Sequence, residues 1–343
     1  MIIPGVIIAM KKQQKTKPII VKEFNQGLEI EKYLDEGRIL GKIYLMMQSN
    51  PKVIESALES TIEPMRNERN VILLDTKLYE ISRGANFLGA LEIELLTVDF
   101  RTFINIAMKH GPVRVDLIEP GEIFLSIDNI QNIVADVSEM HKTLMAHVAS
   151  ALKDNEKVIS PWDIILEKTE PENDSGKISC VMFIELQHEK KEILEKIVEN
   201  KISQIRIDKN INLINISDYG IEKSSEIVGY EDEEDEQEPE KEEVDSEQEN
   251  DFYSGVLEIK FTAVGFRKLL NTVLKYQASG IEILGSDEIN LSKKQANLLL
   301  GDVIKTSQML SEQLQILLSD PGRKARYDAA LREGKKGCAT CVK

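Results

Sequence analysis

A chain of 343 residues with 42% hydrophobic residues and three Cys is long enough for two ordinary domains, and too poor in Cys for a disulfide-built secreted scaffold. Its formal charge of −16 says little about partners of the folded part, because residues 231–251 hold 14 acids against one Lys, and everything else sums to −3. No apolar run approaches the roughly 20 residues of a membrane span, so the chain reads as cytoplasmic.

Residues 1–27 read as an N-terminal extension. An apolar lead, MIIPGVIIAM, comes before its cations (Lys11, Lys12, Lys15, Lys17), the reverse of a signal peptide, and translation from Met1 or from Met10 fits equally well. Leu28 to Glu36 is a helical lead, and Arg38 to Met47 is rich in the large apolar residues of a strand. Asn50 caps a helix with Pro51 at its first position and Val53, Ile54, Ala57, Leu58 and Ile62 on one face. VILLDTKLYEI is a second strand, and Gly84 with Asn86 marks a turn. In GALEIELLTV, Leu91, Ile93 and Leu95 alternate with Glu92 and Glu94, as in a strand with one wet face. Asp99 caps a helix carrying Phe100, Phe103, Ile104, Ala107 and Met108, and Gly111-Pro112 ends it. VRVDLI is a fourth strand, and Ser126 caps a long helix reaching about Asp154.

The chain then writes this pattern again. Residues 89–154 align without a gap on 255–320, an offset of 166, with about 18 identities in 66 positions. Front-half elements match at an offset of 139 or 140, and the difference is the acidic run, which is therefore an insertion after the second strand of the second copy. Such a self-repelling block is expected to be disordered. The expected fold class is α+β: a tandem duplication of a ferredoxin-like (β-α-β-β-α-β) sandwich, each copy followed by a long helix. The copies are placed at 28–154 and 177–320, with a linker at 155–176 and a flexible basic tail at 321–343. Heptad-like spacing (Val137, Leu144, Ala151; Val303, Leu310, Leu317) suggests that the closing helices pack on each other or on a second chain as a homodimer, or that they cover the open sheet faces.

Three groups of residues stand out for chemistry. Arg101, Asn105 and Lys109 lie at i, i+4 and i+8 on one helix, and Arg267, Asn271 and Lys275 repeat them. They form a basic stripe that either pairs with nearby acids or docks an acidic partner. Asp136-Val137 and Asp302-Val303 are also kept in both copies. In the tail, Cys338 and Cys341 form a C-x-x-C pair, half of a tetrahedral zinc or iron–sulfur site or a redox dithiol. The four His lack metal-ligand spacing, and no phosphate-binding loop, nucleophile elbow or metalloprotease motif occurs. Leu318 to Asp328 resembles the closing segment of J-domain co-chaperones, but the His-Pro-Asp tripeptide through which they act is absent.

These features favour a non-enzymatic interaction, assembly or regulatory protein that docks a protein partner. A metal or redox role through Cys338 and Cys341 is the first alternative. A small-ligand sensor is the second, because the plan resembles ACT-type regulatory domains, although no Gly-rich ligand loop follows the first strand of either copy. RNA binding is disfavoured. The third strands offer Phe261 as their one aromatic and place Glu92 and Glu258 on the face where RNA-recognition motifs stack bases.

Overall fold

Two antiparallel sheets grow from these alternating segments. The structure, a computed structural model, describes residues 17–152, 176–209, 211–223, 252–285 and 288–332. The acidic run, most of the expected linker, and Cys338 and Cys341 lie outside the described residues. The first half runs β1 (Ile20–Glu23), α1 (Ile30–Asp35), β2 (Ile39–Ser49), α2 (Ile54–Arg66), β3 (Val71–Arg83), β4 (Phe87–Thr97), α3 (Phe100–His110), β5 (Arg114–Glu119), β6 (Glu122–Leu125) and α4 (Ile127–Ala151). The second half runs β7 (Lys177–His188), α5 (Lys191–Ile207), β8 (Asn212–Lys223), β9 (Tyr253–Val264), α6 (Phe266–Tyr276), β10 (Gly280–Leu284), β11 (Ile289–Ser292), α7 (Lys293–Leu318) and α8 (Pro321–Arg332).

The expected caps are in place. Asp99 accepts the Thr102 N–H at 2.7 Å and Ser126 accepts the Asn129 N–H at 3.2 Å. Asn50 accepts the Lys52 N–H at 2.9 Å, although Pro51–Val53 forms a 3-10 turn ahead of α2.

The sheet orders are β1-β3-β4-β2-β5 and β10-β7-β9-β8. Apart from β1, they are the same order built from corresponding strands. Helices α3 and α6, and likewise α4 and α7, begin 166 residues apart. In the first half Ile43, Leu91, Ile93 and Leu95 meet Leu58, Ile62, Phe103 and Ile104, all buried. Gly41 sits within this face because the Phe103 ring lies against it: a Cβ there would come within 2.2 Å of Cζ. In the second half the corresponding face is Leu257, Ile259 and Phe261 against Leu269, Leu270 and Val273. Phe261 is thus not on the open face. Simple alternation from Leu257 puts it among the helices and leaves Glu258 and Lys260 opposite.

Four elements escape the sequence reading. β1 lies inside the expected N-terminal extension and pairs with β3, Val21 opposite Lys77. α8 occupies what reads as loose tail; Asp320 accepts the Arg323 N–H at 2.9 Å, and Tyr327 Oη lies 3.1 Å from His147 Nδ1 on α4. The short strands β6 and β11 pair with each other across the two halves. In that ribbon Phe124 faces Asn290, its own counterpart at the offset of 166, so a local two-fold relation passes between them.

The closing helices join the halves more broadly. Met145, Val148 and Leu310 form a buried cluster with Leu144, Leu152, Leu314 and Leu317, so the heptad-like columns pack on each other within one chain. Each helix also crosses to the other half's outer strand: α7 lies beside β5, and α4 beside β10. Helix α1 covers part of the first sheet's other face, with Leu28, Ile30, Tyr33 and Leu34 against Leu40, Leu74 and Leu96. In the second half Ser179 and Thr262 replace Leu40 and Leu96, their hydroxyls 3.3 Å apart, so of that three-residue patch one apolar member is kept, Ile214 at the place of Leu74, and it is exposed. No helix of the described residues is long and apolar enough to cross a membrane.

Candidate functional site

Both halves place the basic stripe on the second helix of the unit, beside the closing helix. Arg101 grips Asp136 with two nitrogens, at 2.6 and 2.9 Å, and Asn105 donates to the same carboxylate at 2.8 Å. Arg267 grips Asp302 at 2.6 and 3.0 Å, with Asn271 at 3.4 Å. The third members reach acids at the end of the preceding helix: Lys109 meets Glu68, and Lys275 meets Asp208 at 2.7 Å. Glu68 and Asp208 are 140 apart and Asp136 and Asp302 are 166 apart, so each half repeats one three-helix clasp. All six stripe residues therefore have partners inside the molecule.

The clasps differ in exposure. The Arg267 and Asp302 side chains are 13% and 12% exposed, those of Arg101 and Asp136 39% and 24%. Burial alone would raise the Asp136 pKa, but the hydrogen bonds from Arg101 and Asn105 outweigh it and hold the carboxyl below its usual range.

The first clasp is more open because it borders a groove. A space of 990 Å³ runs between α4 and the start of β10, lined by Gln131, Ala135, Asp136, Glu139, Lys142 and Thr143 on one side and by Ala278, Ser279, Gly280 and Ile281 on the other. It meets a second space of 630 Å³, sharing Asn105 and Met140 with it, where Met108, His110 and Leu144 face Ser307 and Ser311.

The corresponding seam in the other half is closed. Asn297 Oδ1 accepts the Leu117 N–H at 2.7 Å, and Asn297 Nδ2 donates to the Leu117 carbonyl at 3.4 Å. Lys293 donates to the Ile118 carbonyl and Gln308 to that of Pro112. On α4 these positions are Gln131, Ile127 and Lys142, and Ser138 stands where α7 has the buried Ile304. The second space is filled in the same way: Tyr276, His141 and Met145, all buried, occupy the places of His110, Ser307 and Ser311. The groove exists because one of two equivalent seams carries smaller or differently reaching side chains.

The remaining candidates are scattered. Cys180 is buried in β7, where burial pushes its thiol up to about 12. Among the described residues no cluster of three or more His, Cys, Asp or Glu is placed to hold a metal ion. His110 lines the groove, and burial, then Lys109, lowers its pKa. His188 Nδ1 accepts the Lys190 N–H at 2.9 Å. On the first sheet's other face Lys42 bridges Glu92 and Glu94, 2.9 Å from each, and Arg114 lies over the Tyr44 ring at 5.3 Å. Acids and cations there offset each other, and Glu92 occupies the open face as its alternation requires.

With this geometry in view, comparison with known proteins is informative at one level. A family model, the MJ0538 family, matches residues 42–163 and 179–337. The chain belongs to the MJ0538 family. The matched blocks cover both halves and break at the segment joining them, in keeping with an internal duplication. No curated protein and no solved structure matches the chain.

Proposed function

We propose that this protein is a non-enzymatic interaction protein: two ferredoxin-like modules fused in one chain, docking a protein partner in the groove beside α4. The β-α-β-β-α-β order, with outer strand β5 or β10 next to the first strand of its unit, supports the ferredoxin-like reading. The observation that carries the functional reading is the groove itself. Its twin is sealed by Asn297, Lys293 and Gln308, whereas this one keeps 990 Å³ open over apolar and hydrogen-bonding groups. Zinc, iron–sulfur or redox handling through Cys338 and Cys341 rests on the sequence alone.

The test fills the groove. Ala135 is exposed on its α4 wall, so Ala135→Trp blocks the space without entering the core. Tagged full-length protein should retain a partner from its native source that the Ala135→Trp form loses, with melting temperatures unchanged. Equal retention by both forms would remove the groove from the argument. A small molecule released from the wild type in native mass spectrometry, with no protein retained, would replace this reading with the sensor one.

A further inference from the structure

We infer that the outer edge of β8 receives an extended, basic segment of a partner protein as an added strand, at a surface separate from the groove beside α4. The first half shows the same arrangement already filled. There β1 lies along the outer edge of β3, Ile20 opposite Leu78 and Lys22 opposite Thr76. The Ile19 N–H donates to the Leu78 carbonyl and the Phe24 N–H to that of Leu74, both at 2.8 Å. Alternation gives Thr76 the same outward aim. In the second half Ile216 and Asp218 stand at the places of Thr76 and Leu78, and they keep the inner register, opposite Ile259 and Leu257. Among the described residues no strand pairs with the outer side of β8, and no side chain bonds to the outward N–H or C=O of Ile216 or Asp218. Such an edge offers its main chain to any strand of matching geometry. On the same strand Ile214 and Tyr219 are 56% and 61% exposed.

The helix beside this edge repeats the groups that hold β1. Ile20 and Phe24 pack against the core, Lys22 pairs with Glu59 on α2, and Arg66 lies over the Phe24 ring, 6.0 Å from its centre. On α5, which packs beside β8, Glu199 and Arg206 occupy the places of Glu59 and Arg66. Both are exposed, and among the described residues neither has an ion-pair or ring partner. Asp218 lies opposite the buried Leu257 and so on the helix side of the sheet, where it accepts the Gly220 N–H at 2.9 Å and has no ion-pair partner among the described residues. The bare edge thus carries two unmatched carboxylates on the side that alternate residues of an added strand would face.

These groups define the occupant: basic residues at two alternate positions, opposite Asp218 and beside Glu199, and an aromatic at the next, under Arg206. The second half's own counterpart of β1 does not qualify. At the offset of 139, Pro161 stands at the place of Lys22, with no N–H for the ladder and no charge for Glu199. The β8 edge of a second copy does not qualify either, since it holds no cation from Asn212 to Glu222. A polyanion meets the wrong sign of charge.

The experiment titrates a labelled synthetic peptide that copies residues 17–27, with Ile20→Lys, into the full-length protein. The edge of β3 is already held by β1, so the Thr76 and Leu78 amides should exchange slowly with or without peptide. Those of Ile216 and Asp218 should be fast in the free protein and at least about tenfold slower with peptide bound. Glu199→Lys, an exposed change, should weaken binding about tenfold, and Lys22→Glu in the peptide should restore it. Ala135→Trp, which fills the groove beside α4, should leave the peptide's affinity unchanged. The inference fails if the peptide shows no saturable binding, if it binds without slowing those two amides, or if the paired charge reversal brings no rescue. It fails too if both amides are already slow in the free protein, since the edge is then occupied by the chain itself or by a second copy. Loss of peptide binding in Ala135→Trp would move the peptide to the groove and remove the β8 edge from consideration.

Discussion

Asp136 and Asp302 hold the same place in the two halves and grip the same Arg, yet their surroundings separate them. Asp302 faces Arg267 in a seam where both side chains are nearly out of water. Asp302→Ala leaves that guanidinium without its carboxylate, a change that costs about 3 kcal/mol in buried pairs. Asp136→Ala should cost about 1 kcal/mol or less, because water from the groove screens Arg101. Urea unfolding of the two variants tests this, and equal losses would mean that the groove does not loosen the first clasp. The i, i+4, i+8 stripe was legible in the sequence because one helix carries it. Its acids were harder to assign, since they sit on two other helices. The signal was nevertheless present: Asp136 and Asp302 recur at the offset of the back half, Glu68 and Asp208 at that of the front half.

At the scale of elements, β5 and β10 show how an edge strand is managed. Asn297→Ala should leave the Leu117 N–H and C=O without their partner and cost about 1–3 kcal/mol. Gln131→Ala, at the same place beside the open groove, should stay within about 0.5 kcal/mol. Denaturation midpoints at constant m-value decide between this contrast and a symmetric pair of seams. The long elements were readable because each carries its own period and cap, as in the Leu91, Ile93, Leu95 alternation and the Asp99 and Ser126 caps. β6 and β11 were not, because four residues hold too little alternation and their pairing joins segments 164 or more residues apart. The start of α8 is ambiguous in the sequence, which is why residues 321–343 read as a loose tail. Asp320-Pro321-Gly322 looks like a helix stop, but Asp followed by Pro also caps and starts a helix, and here it does so.

For the molecule as a whole, the seam between the halves should set the response to acid. His141 lies on the buried face of α4, where burial lowers its pKa to about 4. An unfolded His takes up its proton near pH 6.5. The unfolded state therefore binds more protons between those values, so stability is full above about pH 6.5 and falls as the pH drops toward 4, by about 3 kcal/mol. His141→Leu should flatten that slope, measured by urea titrations from pH 7 to pH 4; an unchanged slope would assign the acid sensitivity to other groups. The groove was the least legible feature. It arises from differences between equivalent residues, such as Ser138 against Ile304 and Ser311 against Met145, that meet across a seam no local pattern announces.

The pairing of Phe124 with Asn290 has a further implication. Equivalent positions meeting on an axis are the geometry of a homodimer, here written in one chain. Two identical subunits would have to open both seams or neither, and would take up two guests. Fusion releases the halves from that obligation: one seam can be committed to holding the body together and the other left for recognition. On the reading proposed for the groove, the expected stoichiometry is one guest per chain, a count that analytical ultracentrifugation of a saturated complex checks directly.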